Sequence, residues 1–102
     1  MLYAITLTYI SPAEQIREHL EAHKDWLVKY IKSANVVFAG PLTDESGGFI
    51  LAHAEQLLDI QKIVAEDPFV AHRLVTFDIV ESDPAIRSSD FAAHWARDAK
   101  PV

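Results

Sequence analysis

Cysteine is absent from this 102-residue chain, which excludes disulfides, thiolate nucleophiles and zinc–thiolate sites. Lysine and arginine are scarce, nine residues against fifteen aspartates and glutamates, and the formal net charge is −6. Because these few cations are dispersed along the chain, we do not expect a nucleic-acid-binding surface. No apolar run approaches the ~20 residues of a membrane span, and no basic secretion signal follows Met1. The sequence therefore predicts a cytoplasmic protein with neither nucleic-acid nor membrane partners.

Apolar residues, by contrast, are abundant. Hydrophobic residues make up 50% of the chain and aromatic residues 10%, which is enough to form a core. The length of 102 residues corresponds to one domain near the lower end of sizes that bury a comfortable core. Since small domains often gain stability by association, we expect a homodimer.

The first two predicted elements are a strand and a long helix. Over Leu2–Tyr9, large apolar side chains alternate with smaller ones, which is typical of a strand with one apolar face. Ser11 and Pro12 suit the N-cap and first position of a helix, and Glu14 completes a capping box. This helix is predicted to end near Lys32.

The later elements complete a β-α-β-β-α-β order. They are predicted strands at residues 35–40 and 48–54, a helix at residues 55–66 and a strand at residues 73–81. In the last strand we expect Val75, Phe77 and Ile79 to point inward. The order is that of the split βαβ motif, so the predicted fold class is α+β, ferredoxin-like, with an antiparallel sheet. Helices cover one face of such a sheet and leave the other for water, a ligand or a second subunit.

The chain changes character after residue 83. Residues 1–83 are predicted to form the ferredoxin-like domain, and residues 84–102 a C-terminal tail. Within the tail, residues 88–90 (Ser-Ser-Asp) could cap a short helix that carries Phe91 and Trp95. Large aromatic side chains are costly to leave in water, so the tail should pack on the domain or on a partner subunit.

His23 is the first candidate functional residue. On a helical wheel, an apolar stripe of Ile16, Leu20, Leu27 and Ile31 spans roughly 60°, with His23 about 20° outside Ile16. Two interpretations follow: a core histidine whose ring nitrogens are hydrogen bonded, or a histidine that faces a pocket. Imidazole titrates near neutral pH, so the second interpretation predicts proton transfer.

Asp67 precedes Pro68 and is open to two compatible interpretations. An aspartate before proline is a good N-cap for a helical turn. A carboxylate can also accept a hydrogen bond from an imidazole, which fixes its tautomer and raises its basicity. The sequence thus predicts an acid–base pair of His23 and Asp67, provided that the fold brings them together.

Four further residues are candidates for substrate binding. His19 and Tyr30 extend the His23 side of the helix, and His72 and Arg73 closely follow Asp67. His72 and Arg73 are either ordinary strand-entry residues or anion-binding groups at a pocket rim. His19 and His23 are four residues apart, but two histidines make an incomplete metal shell, so no metal site is predicted.

Several short motifs, taken in order, resemble the YCII-related family. The likeness covers residues 1–83 and is carried by Ala22-His23-Lys24-Asp25-Trp26-Leu27, Ala39-Gly40-Pro41, Gly47-Gly48-Phe49-Ile50 and Asp67-Pro68-Phe69-Val70. The resemblance implies a ferredoxin-like subunit of the dimeric α+β barrel type. It also implies a histidine–aspartate active site, which falls on His23 and Asp67.

The chain departs from the family pattern at two turns. Ala34-Asn35 stands where relatives often have a glycine before the second strand, and Arg73 where many have glycine or a small residue. A large cation at position 73 is expected to change the pocket.

The resemblance also suggests a reaction. A well-defined activity of this family is dehydrochlorination of a chlorinated hydroxyhydroquinone in bacterial degradation of chloroaromatic compounds. We therefore expect a cofactor-free lyase for a phenolic or acidic small molecule, with His23 as base and acid and Asp67 orienting it. The alternatives are a dimeric module that binds a small acid without turnover, and an isomerase of the muconolactone type.

Overall fold

The alternating N-terminal sequence forms a central strand of an antiparallel sheet. The computed structural model describes residues 1–102, and its main elements are β1 (Leu2–Tyr9), α1 (Ala13–Lys32), β2 (Val36–Pro41), β3 (Gly47–His53), α2 (Leu57–Ala65), α3 (Pro68–Ala71) and β4 (Val75–Ser82). The strand order is β2-β3-β1-β4, and all three pairings are antiparallel. The predicted ferredoxin-like α+β fold is confirmed.

The core lies between this sheet and the helices. Tyr3, Ile5 and Leu7 alternate along β1 and are buried on the helix side, as the sequence predicts. The Tyr3 hydroxyl donates a hydrogen bond to Glu81 Oε2 at 2.8 Å. Burial, reinforced by this nearby carboxylate, raises the pKa of Tyr3 to about 12. The phenol is therefore neutral throughout the physiological range.

Helix α1 ends at Lys32, as predicted, but begins differently. The predicted capping box is wrong: Pro12 occupies the N-cap position, and no side chain caps the helix. The carbonyl of Pro12 instead accepts hydrogen bonds from the backbone of Gln15 and Ile16. Because the helix starts one residue later than predicted, Ser11 lies outside the capping position.

None of the helices combines the length and apolar character that a membrane span requires.

Strand β4 is less buried than its sequence predicts. Val75, Phe77 and Ile79 pair with Tyr9, Leu7 and Ile5 of β1, so all three lie on the helix side of the sheet, as predicted. Val75 is buried and Ile79 partly so, but Phe77 is still 42% exposed. This strand lies at the sheet edge beside β1 alone. The preceding helix, α3, has only four residues and leads directly into β4 through a hydrogen bond from Leu74 N to Phe69 O of 2.8 Å. It is too short to cover Phe77.

The tail forms a closed loop instead of the predicted α-helix. Two short strands, β5 (Ile86–Arg87) and β6 (Lys100–Pro101), pair in parallel, and only one 3₁₀ turn, Ala93–Trp95, lies between them. The Trp95 indole N–H reaches the carbonyl oxygen of Ala34 at 3.4 Å, so the tail contacts the domain directly.

Candidate functional site

Two cavities lie at opposite ends of the central strands. One, of about 220 Å³, is formed by Met1, His53 and Glu55 together with tail residues. Burial lowers the pKa of His53, and the N-terminal amine, His94 and Arg97 add to this effect. The other cavity, of about 300 Å³, lies at the Tyr9 end of β1 and contains His23. Because only the second cavity reaches the predicted acid–base pair, it is the candidate site.

His23 and Asp67 lie 44 positions apart in the sequence and are directly hydrogen bonded. The distance from His23 Nδ1 to Asp67 Oδ1 is 2.8 Å. Asp67 is completely buried, whereas the His23 side chain is 12% exposed. Asp67 also caps α3, since the same Oδ1 accepts a hydrogen bond from Phe69 N at 3.0 Å. Both roles predicted for Asp67, capping and holding the imidazole, therefore occur together.

The hydrogen bond to Asp67 fixes which nitrogen of His23 is available. A carboxylate oxygen accepts, so Nδ1 carries a proton, and in neutral imidazole the lone pair is then on Nε2. Nε2 has no hydrogen-bond partner within the protein. The ring also stacks on Phe69, with centroids 4.1 Å apart and an interplanar angle of 11°. The imidazole is thus held on its Nδ1 edge and on one face, which leaves Nε2 as its free basic atom.

The position of His23 on α1 explains why its side chain reaches both Asp67 and the cavity. On one side of the helix, the Trp26 indole donates to Ile63 O at 3.0 Å, and the Tyr30 hydroxyl donates to Glu66. On the other side, Leu20 and Leu27 face the cavity. His23 lies between these two sides of the wheel, so it touches both α3 and the cavity. The most buried residue of the helix is accordingly Trp26 rather than Ile31, which is 45% exposed.

The cavity itself arises from small residues opposite α1. Its thirteen lining residues, eight of them hydrophobic, are Leu7, Tyr9, Leu20, His23, Lys24, Leu27, Ala39, Gly40, Pro41, Gly48, Phe49, Ile50 and Phe69. Gly48 pairs with Leu7, whose side chain points toward the helices, and a Cβ at Gly48 would have only Gly40 O nearby, at 3.6 Å. Glycine and alanine in β2 and β3 therefore leave space beneath the helix that larger side chains would fill. A volume of about 300 Å³ suits a ligand of one ring.

The four residues predicted to bind substrate lie outside this cavity. His72 and Arg73 are exposed, and the rings of His19 and His72 lie 4.2 Å apart. Tyr30 is engaged with Glu66, and burial together with this carboxylate raises the pKa of Tyr30. The structure thus brings together His23 and Asp67 but none of these four candidates.

Arg73 affects the backbone rather than the cavity. It has a φ of 57°, in the left-handed region that favours glycine, and Ala34, the other departure from the family pattern, has a φ of 64°. Both residues directly follow the C-cap of a helix, where a left-handed residue is common and usually glycine. Arg73 is not among the residues that line the cavity, so the change of the pocket expected from it is not found.

Sequence reasoning missed two polar residues of the cavity, Tyr9 and Lys24. Tyr9 continues the buried face of β1, and its ring contacts Phe69 edge-on with centroids 6.1 Å apart. Lys24 follows His23 directly, and its wheel position lies about 40° from Leu20. The position of Lys24 beside the apolar stripe is the sequence feature that could have identified it as a cavity residue.

No group of three or more metal-ligating side chains is placed to hold a metal ion. His19 and His72 are close together but have no third ligand of this kind.

Comparison with known proteins identifies the family and the fold. The family model of the YCII-related domain matches residues 1–93. Among solved structures, the chain is similar to 5-chloro-2-hydroxyhydroquinone dehydrochlorinase (TftG) from Burkholderia phenoliruptrix AC1100, in complex with 2,5-dihydroxybenzoquinone. The TM-score is 0.69 and the identity 23%, over 82% of this chain and 95% of that one.

A weaker likeness links the chain to a proposed antibiotic biosynthesis monooxygenase from Deinococcus radiodurans. Its TM-score is 0.44 and its identity 16%, over 86% of this chain and 98% of that one. No curated protein sequence matches the chain.

Proposed function

The chain belongs to the YCII-related domain family, and we propose that it is a small-molecule enzyme in which His23 transfers a proton of a phenolic ligand. One observation carries this proposal. His23 is held through Nδ1 by the buried Asp67, while Nε2 is left without a protein partner beside a mostly apolar cavity. A core histidine would be expected to have both nitrogens satisfied.

The pair has the properties that general acid–base catalysis requires. The Asp67 carboxylate fixes the Nδ1–H tautomer and stabilises the imidazolium that forms when Nε2 takes a proton. Stacking on Phe69 restricts rotation of the ring, so little reorganisation accompanies proton transfer. His23 then acts as base and, once protonated, as acid.

The most specific form of the proposal is dehydrochlorination of a chlorinated hydroxyhydroquinone. His23 takes a hydroxyl proton and returns it to the chlorine-bearing carbon, which converts the ring to its ketone tautomer. A second hydroxyl proton then leaves to solvent, and the electron pair of the C–Cl bond leaves with chloride. The product is a hydroxyquinone, and the reaction loses one HCl without an external oxidant. Support comes from the family and from the fold shared with a dehydrochlorinase.

Chloride release and ultraviolet–visible spectra with this substrate test the proposal. We expect wild type to release chloride and His23→Ala to lose roughly 10²–10⁴-fold in rate, the usual contribution of a general base. His94→Ala is the matched control, because His94 is exposed on the tail and lies outside the cavity. Gly48→Val should also reduce turnover, since it fills the cavity without touching the pair.

Each other outcome has a definite meaning. Full activity in a folded His23→Ala protein would overturn the role of His23. Binding of the substrate to wild type without turnover would favour a binding module, and a changed ring without chloride would favour an isomerase.

We also propose that the protein is a homodimer formed through the sheet face opposite the helices. Phe38 and Val80 on this face are 52% and 64% exposed, and Phe38 packs against Phe49 with ring centroids 5.8 Å apart. Apolar side chains at this density on an open sheet favour a protein partner, and a second copy provides a self-complementary one.

A further inference from the structure

The charge lining the cavity is opposite in sign to that of the whole chain. The protein carries a formal charge of −6, yet no aspartate or glutamate lines the cavity. Lys24 is the single lysine or arginine among the lining residues. Lys24 lies on the same side of α1 as Leu20 and Leu27, which also line the cavity. The cavity is therefore suited to a ring that carries one negative charge.

We infer that Lys24 is a specificity-determining residue that binds an ionised oxygen, phenolate or carboxylate, on an aromatic ligand. The inference deepens the proposed function and rests on it in taking this cavity as the ligand site. Lys24 and His23 are consecutive on α1, so their side chains leave the helix about 100° apart. A ring lying over Leu20 and Leu27 can present one oxygen to Lys24 and another to Nε2 of His23. The substrate class is thus a one-ring compound with two oxygen substituents, one of them ionised.

The neighbours of Lys24 leave its ammonium available. Its nearest carboxylate is Glu21, with Nζ and Oε1 3.7 Å apart, and the two side chains are 58% and 87% exposed. A pair so exposed and so loosely spaced is weak, so a ligand can compete for the ammonium. Lys29, five residues further along the helix, is instead hydrogen bonded to Glu66 at 3.2 Å and lies outside the cavity.

Titration with benzoate and with neutral benzamide isolates the contribution of charge. Both have the same ring, and binding is measured by calorimetry or by chemical shifts. We expect Lys24→Met to weaken benzoate binding about tenfold, as for loss of a hydrogen bond to a charged group, and to leave benzamide unchanged. Lys24→Arg should retain most of the preference for benzoate. Lys32→Met removes the same charge from the same helix, outside the cavity, and should bind like wild type.

The possible outcomes separate this inference from the proposed function. Equal benzoate affinity in wild type and Lys24→Met would overturn the inference, as would equal loss of both ligands or a wild type that binds neither. None of these readings uses turnover. A Lys24-dependent preference for benzoate in a protein that releases no chloride would support the recognition role and contradict the dehydrochlorination. Chloride release that is unaffected by Lys24→Met would support the dehydrochlorination and contradict the recognition role of Lys24.

Discussion

At the scale of single residues, one oxygen of Asp67 joins the fold to the candidate site. Oδ1 accepts hydrogen bonds from both the Phe69 backbone and His23, whereas the buried Oδ2 has no protein partner. The same contact that begins α3 therefore orients the imidazole. A substitution at this position should affect stability and activity together, unlike a substitution of His23, which should affect activity more.

Asp67→Ala is expected to destabilise the protein by about 1–3 kcal/mol. It removes the cap of α3 and leaves Nδ1 of His23 without its acceptor in a mostly buried position. Urea denaturation followed by circular dichroism measures the change. Asp25→Ala, an exposed position on α1 without an ion pair, should stay within about 0.5 kcal/mol of wild type. Wild-type stability in Asp67→Ala would show that the buried carboxylate makes no net contribution.

At the scale of elements, two helices end in a backbone conformation that their sequence does not favour. After α1, Ala34 has a φ of 64°, and Asn35 N bonds to Tyr30 O at 3.0 Å. After α3, Arg73 has a φ of 57°, and Leu74 N bonds to Phe69 O at 2.8 Å. Both turns have the hydrogen bond of a Schellman motif. Glycine is preferred at the left-handed position of this motif because it lacks a Cβ. A glycine at position 34 would adopt this conformation without the Cβ penalty.

Ala34→Gly is expected to stabilise the protein by roughly 1 kcal/mol, since the left-handed conformation costs other residues about that much. Ala22→Gly provides the opposite control. Ala22 is exposed within α1, where glycine should destabilise by about 0.5–1 kcal/mol relative to alanine. Thermal unfolding of the two variants measures how the same alanine-to-glycine substitution changes stability at each position. A loss of stability in both would mean that the turn after α1 gains nothing from glycine.

At the scale of the whole molecule, the two faces of the sheet differ in what covers them. The helix face carries the core and the cavity, whereas the opposite face exposes Phe38 and Val80. At the His53 end of the sheet, Trp95 and Arg97 of the tail line the smaller cavity together with His53. The remaining apolar surface is the proposed contact between two subunits.

Light scattering after size exclusion should give twice the subunit mass of 11.4 kDa. Val80→Asp should shift the protein toward monomer, because it would place a charge in the proposed contact. Leu58→Asp is the matched control: Leu58 is 54% exposed, but it lies on α2, on the other side of the sheet. A monomeric wild type at high concentration, or equal effects of the two substitutions, would contradict this interface.

The sequence by itself determined the order of the four sheet strands and the two longer helices. Alternation in β1 and the spacing of apolar residues in α1 are local patterns, and both survive in the structure because neighbouring residues set them. The predicted tail helix is only a 3₁₀ turn, and Phe77 points inward but stays 42% exposed, for the same physical reason. Each depends on what packs against the segment, and that is not encoded within the segment.

Only the tertiary structure decided the composition of the site. The meeting of His23 and Asp67 was expected from the family resemblance, but the 2.8 Å contact requires α1 and α3 to pack together across 44 residues of sequence. The packing of α1 over β2 and β3 placed Lys24 and Tyr9 at the cavity and left His72 and Arg73 outside it. A cavity is a property of the space between elements, so no pattern within one element could have predicted its lining.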